Sequence, residues 1–204
     1  MSIILVRHGE TALNASRTLQ HPDTPLGPRG LAQAEAVARR LAGEPIDEIL
    51  VSDHLRAAQT AHAIARAVGA PVRVSPLLHE RSFGALRGRR YDELGFDPMA
   101  PDFCPPDGES WPVFEARVAL AFAEIVARRA ALARALVVVS HGLVIGRMLR
   151  HHLRLAAGAA PPMHLGNTAV TIFDADPPHL ASLVGCIAHL DGAARDDGRG
   201  LSGF

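Results

Sequence analysis

Two stretches of the chain place an imidazole beside a glycine directly after a run of apolar residues. Ile3-Ile4-Leu5-Val6 leads into Arg7-His8-Gly9, and Ala135-Leu136-Val137-Val138-Val139 leads into Ser140-His141-Gly142. A third run, Ile49-Leu50-Val51, leads into Ser52-Asp53 and then Arg56. Two arginines and two histidines with no acidic cage suit an anion, and phosphate best. Arg offers paired donors to phosphoryl oxygens, and charge-assisted bonds gain as water is excluded. A neutral imidazole can attack phosphorus and become a phosphohistidine, dividing one hard displacement into two easier ones. The leaving alkoxide then needs a proton. Glu80 is the leading donor, provided partial burial raises its pKa; an ion pair with the adjacent Arg81 is the competing use of the same carboxylate.

These residues need elements that bring them together. Short, fully apolar runs read as strands buried on both faces, and in an open parallel sheet ligands bind outside the carboxyl ends of the strands. Helical spacing from Pro28 through Leu41 stops at Gly43, with proline in the first turn. A second helix spans Leu55 to Val68 and closes at Gly69, with Ser52 or Asp53 as its expected cap. Arg56 in its first turn opposes the helix dipole, a local conflict that a bound anion would repair. Val72–Val74 is a short strand. A long Ala-rich helix is expected over Ser110–Ala133, another over Leu143–Leu155, and strands at Ala169–Phe173 and Ala181–Ala188. Alternating strands and helices predict an α/β fold, a three-layer α/β/α sandwich with a mostly parallel central sheet. One domain is expected over 1–190, with an excursion of Gly, Arg, Pro and Asp over 82–108 on the substrate side and one short helix near Tyr91-Glu93. Residues 191–204 have little hydrophobic pattern and are expected to be mobile.

Composition narrows the classes of function. The 204 residues carry no formal net charge and are 48% hydrophobic, which gives no global basic bias toward nucleic acid. All 21 basic residues are arginine, the better fork for phosphate oxygens. Two cysteines, Cys104 and Cys186, without metal-ligand spacing fit a reducing compartment. The first apolar run is too short for a signal peptide or membrane span. The expectation is a cytoplasmic protein with no metal, no cofactor, no membrane or nucleic-acid partner, and apolar helices that leave room for a homodimer.

Arg7-His8-Gly9-Glu10-Thr11 resembles the signature of the histidine phosphatase superfamily, in its phosphoglycerate mutase-like branch. The likeness continues, in the family's order, through Asn14 and Asp23-x-Pro25-Leu26 with Gly30. It extends to Ser52-Asp53-x-Leu55-Arg56-Ala57-x-Gln59-Thr60-Ala61, Leu78-x-Glu80-Arg81-x-Phe83-Gly84, Pro106-x-Gly108-Glu109-Ser110 and Val139-Ser140-His141-Gly142. The resemblance implies that His8 is the phosphorylated nucleophile. Arg7, Arg56 and His141 then hold the phosphoryl oxygens with Asn14 and Gln20, Glu80 donates the proton, and no metal is needed.

The chain departs from the family pattern twice. Gln20-His21-Pro22 replaces a Gln-Gly pair, and proline removes a backbone donor from that loop. Arg87 stands before Gly88 where the family often has an acid; with Arg89 and Arg90 it makes the rim more basic, which reads either as a solvated surface or as a preference for a substrate with a second anionic group. Mutases of the family carry a longer insertion that excludes water, whereas here only 17 residues separate Arg90 from Gly108. The expected activity is therefore hydrolysis of small phosphorylated metabolites. A mutase is the alternative, and a silent phosphate-binding protein or a metallohydrolase stand further back.

Overall fold

The structure is a computed structural model that describes residues 2–192. Strand β1 (Ser2–Arg7) is followed by a short helix α1 (Ala12–Ala15), helix α2 (Pro28–Leu41), β2 (Ile46–Val51), α3 (Leu55–Val68) and β3 (Val72–Val74). After an irregular stretch come α4 (Trp111–Ala130), β4 (Ala135–Ser140), α5 (Gly142–His151), β5 (Val170–Asp174) and β6 (Ala181–Cys186). The strands lie side by side in the order β3-β2-β4-β1-β5-β6. β1 to β4 are parallel, β5 runs against β1, and β6 runs against β5.

Strand alternation explains the layers. Ile4 and Val6 join Val137, Val139, Val37, Ala61 and Ile64 in one core, under α2 and α3. Ile3 and Leu5 point the other way and join Leu136, Val138, Phe114, Val118 and Val144, under α4 and α5. Both faces of β1 and β4 are therefore buried, which is why these strands have no polar alternation in sequence. Each such Val, Leu, Ile or Phe contributes about 1.5–3 kcal/mol by leaving water.

Register delivers the chemistry. Val6 pairs with Val139 and Arg7 with Ser140, while Val51 pairs with Val139 from the other side. The ends of β1, β4 and β2 thus lie abreast, and Arg7-His8, His141 and Ser52 follow them on one sheet edge.

One boundary differs from expectation in an instructive way. The helix expected to reach Leu155 stops at His151, because Arg154 turns to pair with the chain before β6: Arg154 N–H donates to His179 O (3.1 Å) and Ala181 N–H to Arg154 O (2.8 Å). The mobile segment expected over 191–204 lies, from residue 193 on, outside the described residues. Among the described residues no helix is long and apolar enough to cross a membrane.

The loop after β1 is held by close approach rather than by side-chain bulk. Gly27 N–H donates to Glu10 O (2.9 Å), and Glu10 N–H to Gln33 Oε1 of α2 (2.8 Å). A Cβ added at Gly30 would lie 1.9 Å from Glu10 O, a backbone atom that cannot swing aside. Gly30→Ala is expected to lower stability by about 1–3 kcal/mol, as overpacking does, read as a lower urea midpoint. An unchanged midpoint would show that the contact is not tight.

Candidate active site

The loop that carries His8 is pinned from three sides. Gly9 N–H donates to Thr60 Oγ1 of α3 (3.0 Å), and Thr60 Oγ1 donates to Arg56 O (2.8 Å). His8 N–H donates to Ser140 O (2.9 Å), and His8 O accepts from Asn167 Nδ2 (3.0 Å) and Thr168 N–H (3.3 Å). Thr168 has φ 55, a conformation rare for a β-branched residue. Arg7 Nη1 donates to Leu165 O in the same 165–168 loop. That loop supports the site, yet nothing in its residue types announced it.

The imidazole of His8 has a defined proton arrangement. Nδ1–H donates to the Gly9 carbonyl (2.7 Å), and Arg56 Nε–H donates to Nε2 (3.3 Å), which is therefore unprotonated. Burial first, then the charges of Arg56 and Arg7, hold His8 well below the ordinary imidazole pKa. Arg56 is itself 2% exposed. Its remaining donors reach His21 O (3.0 Å) and His54 Nδ1 (3.1 Å), and burial lowers its pKa to about 10.

His141 is fully buried and packs its ring 5.1 Å from that of His8 and 4.9 Å from that of His54. Ser52 Oγ accepts from His54 N–H (3.2 Å) and meets His141 Nε2 at 2.8 Å. With the hydroxyl donating to Nε2, the proton of His141 sits on Nδ1, which has no hydrogen-bond partner among the described residues. Burial and the nearby cations keep His141 neutral as well. The expected cap of α3 is corrected here. His54 occupies the cap position without a side-chain bond, and the Ser52 hydroxyl serves His141 instead.

α1 exists because of a capping box. Thr11 Oγ1 accepts from Asn14 N–H (3.0 Å) and Asn14 Oδ1 accepts from Thr11 N–H (3.2 Å). Thr11 Oγ1 also donates to Gln20 Oε1 (2.8 Å). Both carbonyl oxygens are occupied, so Asn14 and Gln20 have their amide N–H groups left for a ligand.

Glu80 is partly buried and does not pair with the side chain of Arg81. Its Oε1 accepts from Arg81 N–H (3.0 Å) and its Oε2 from Leu143 N–H (3.2 Å), in the first turn of α5. Arg81's guanidinium instead donates to the carbonyls of Glu109, Pro98 and Phe103 and lies 3.9 Å over the Trp111 ring. Burial raises the Glu80 pKa, against the two backbone N–H bonds and the charges of Arg56 and Arg7.

Arg7, His8, Asn14, Gln20, Arg56 and Glu80 line one cavity of about 590 Å3, part of it open to solvent. Leu13, Leu19, Phe83, Tyr91, Met99 and Leu143 supply its apolar wall. Two further polar side chains stand there that were not singled out from sequence, His54 and Thr18, together with Arg81. Of the arginine cluster, Arg87 lines the cavity, whereas Arg90 pairs with Asp92 on the surface at 2.7 Å. Trp111 and Phe114 pack against each other at the start of α4, away from the cavity wall.

A family profile described as histidine phosphatase superfamily (branch 1) matches residues 3–184. The chain belongs to this superfamily. It is 35% identical, over an alignment of 213 residues covering 97% of this chain and 98% of the other, to a protein of Enterobacter sp. (strain 638) named probable phosphoglycerate mutase GpmB. A mycobacterial glucosyl-3-phosphoglycerate phosphatase, solved with VO3, is 28% identical with a TM-score of 0.72, covering 85% of this chain and 90% of that one. YhfR of Bacillus stearothermophilus is 26% identical with a TM-score of 0.77, covering 92% and 98%. Superfamily members thus include proteins named as phosphatases and as mutases.

The neutral histidines of this superfamily member set its acid response. His54 is lowered to about 3 by burial and by Arg56, and His8 and His141 are lowered too. Unfolding frees each to protonate near 6.5, so the unfolded chain binds more protons below that pH and stability falls toward acid. Glu80 has the opposite sign, adding stability below its raised folded pKa and losing it as pH rises through that value. Urea midpoints of the wild type should fall between pH 7 and pH 5. His54→Gln should flatten that slope by up to about 1.4 kcal/mol per pH unit. Equal slopes in the two proteins would contradict a neutral His54.

Proposed function

We propose that the protein is a phosphomonoesterase that hydrolyses small phosphorylated metabolites through a phosphohistidine on His8. The observation that carries this is the opposite displacement of two titratable groups lining one cavity. His8 is held neutral with Nε2 unprotonated, and Glu80 is pushed toward its protonated form. A nucleophile and a general acid need those two states at neutral pH.

In the first step His8 Nε2 attacks phosphorus, the P–O bond to the alcohol breaks, and the leaving oxygen takes the Glu80 proton. The guanidinium groups of Arg7 and Arg56 bear the phosphoryl charge, the Asn14 and Gln20 amides donate to its oxygens, and His141 Nδ1–H completes the donor set. Gly9 O accepts from Nδ1–H throughout and so supports the cation that forms on the ring. In the second step the Glu80 carboxylate takes a proton from water, whose oxygen attacks phosphorus and returns His8 to its neutral state. Inorganic phosphate leaves.

Hydrolysis is favoured over transfer by the shortness of the 82–108 excursion, which is tied at its base (Glu109 N–H to Ser82 O, 2.9 Å; Ala85 N–H to Pro106 O, 2.9 Å) and leaves the cavity open to water. The second reading is a phosphoglycerate mutase-type transfer, favoured by the name of the Enterobacter relative.

Phosphate release from p-nitrophenyl phosphate and from alkyl phosphates tests the proposal. His8→Ala should release none, and brief mixing followed by alkaline quench should give an acid-labile phosphoryl group on the wild type alone. Glu80→Gln should slow alkyl phosphates by about 10²–10⁴-fold and p-nitrophenyl phosphate far less, since nitrophenolate leaves unprotonated. Release that survives His8→Ala would overturn the phosphohistidine. Primer-dependent isomerisation of 3-phosphoglycerate faster than its hydrolysis would establish the mutase reading.

A further inference from the structure

The cavity holds more positive charge than a phosphoryl group requires. Its lining includes the guanidinium groups of Arg7, Arg56, Arg81 and Arg87 and a single acid, Glu80, whose raised pKa keeps it from cancelling them. Arg7 and Arg56 suffice for a phosphoryl dianion, and Arg81 is held on three carbonyls and the Trp111 ring. Arg87 is left over.

Arg87 is also held as a binding group would be. It is half-buried, and among the described residues its guanidinium has no carboxylate partner, unlike Arg29, Arg117, Arg128 and Arg134. One donor, Nη2, bonds to Ser82 Oγ at 3.0 Å, which orients the fork and leaves Nε and Nη1 available. The backbone on either side is fixed. Leu86 N–H donates to Phe83 O (3.0 Å), and Gly88, at φ 84, donates its N–H to Leu19 O (2.7 Å). Its charge reaches the reaction centre, depressing the pKa of both His54 and Arg56.

We propose, on the footing of the phosphomonoesterase reading, that Arg87 is a specificity-determining residue that binds a second anionic group of the substrate. The substrate class is a small phosphomonoester bearing a carboxylate or a second phosphoryl group, its carbon body against the apolar wall. A half-buried guanidinium with spare donors favours such a ligand over a neutral one, because a neutral ligand would leave the cation desolvated without compensation.

The test compares ligands that differ only at that end. 3-Phosphoglycerate and glycerol 3-phosphate share a three-carbon skeleton with its C2 hydroxyl, and glycerol 1,3-bisphosphate carries the second phosphoryl group on the same skeleton. Affinities are measured by calorimetry on His8→Ala protein, with Arg87 intact or replaced in Arg87→Met, so the answer does not depend on turnover. Arg87→Lys serves as the conservative variant. With Arg87 intact, at least one dianion-plus-anion ligand should bind about tenfold or more tightly than glycerol 3-phosphate, as a charge-assisted bond provides. Arg87→Met should abolish that preference, weakening the doubly anionic ligand more than glycerol 3-phosphate, and Arg87→Lys should restore part of it. The 3-phosphoglycerate and bisphosphate arms tell carboxylate from phosphoryl recognition. No preference in the Arg87 protein, or one that survives Arg87→Met, would overturn the proposal. A preference without phosphate release by the wild type would leave the anion site standing and remove only the hydrolase reading.

Discussion

Arg56 is almost completely buried, and its Nε–H donates to the ring nitrogen of His8 at 3.3 Å. Two like unit charges about 4 Å apart repel by about 4 kcal/mol at an effective dielectric of 20. Burial is the first reason a second cation on that ring is disfavoured, and repulsion from Arg56 adds to it. The imidazole stays neutral, its one proton goes to the Gly9 carbonyl, and Nε2 keeps a lone pair aimed along the Arg56 donor. The rest of the molecule serves to maintain this contact. β1 and β4 set the height of His8 through their register, α3 sets the height of Arg56, and Thr60 joins the two by bonding both Gly9 and the Arg56 carbonyl.

The same cluster of cations explains the second half of the chemistry. Arg56 and Arg7 alone would make Glu80 more acidic, as do its two backbone N–H bonds, but burial outweighs them. Arg81 could have tipped the balance by pairing with Glu80. Its guanidinium is instead drawn away by three carbonyls and the Trp111 face, so it stabilises the 82–108 excursion and leaves the carboxyl in a state to give up a proton. His54 works in the same direction: buried and neutral, it accepts an Arg56 donor without adding charge.

Much of this was legible in the chain itself. β1, β4 and β2 announced themselves as apolar runs ending in His, Ser and Gly, and α3 by its spacing and Gly69. The residues gathered in the cavity, Arg7, His8, Asn14, Gln20, Arg56 and Glu80, are those that type and motif had singled out, with His141 packed against them. What stayed hidden depended on tertiary geometry. The 165–168 loop supports His8 because β5 runs against β1, which brings the start of β5 to the edge where the parallel strands end. Local sequence carries no sign of that reversal. Nothing in the sequence singles out His54, and only folding shows its ring between His141 and His79. His152, within the helix expected over Leu143–Leu155, stacks on Phe122 at 4.7 Å, and burial lowers its pKa. Arg87, Arg89 and Arg90 looked like one basic rim, yet short turns at Gly84–Leu86 and Tyr91–Glu93 send Arg87 inward and Arg90 out to Asp92.

The central claim is the neutral His8 with its proton on Nδ1, enforced by Arg56. Nitrogen NMR of the protein labelled at its histidine rings, followed from pH 8 to pH 5, measures this directly. The account predicts one His8 signal pair throughout, with a protonated Nδ1 and an unprotonated Nε2 and no titration across the range. A His8 ring that titrates near the free-imidazole value of about 6.5, or that carries its proton on Nε2, would contradict it.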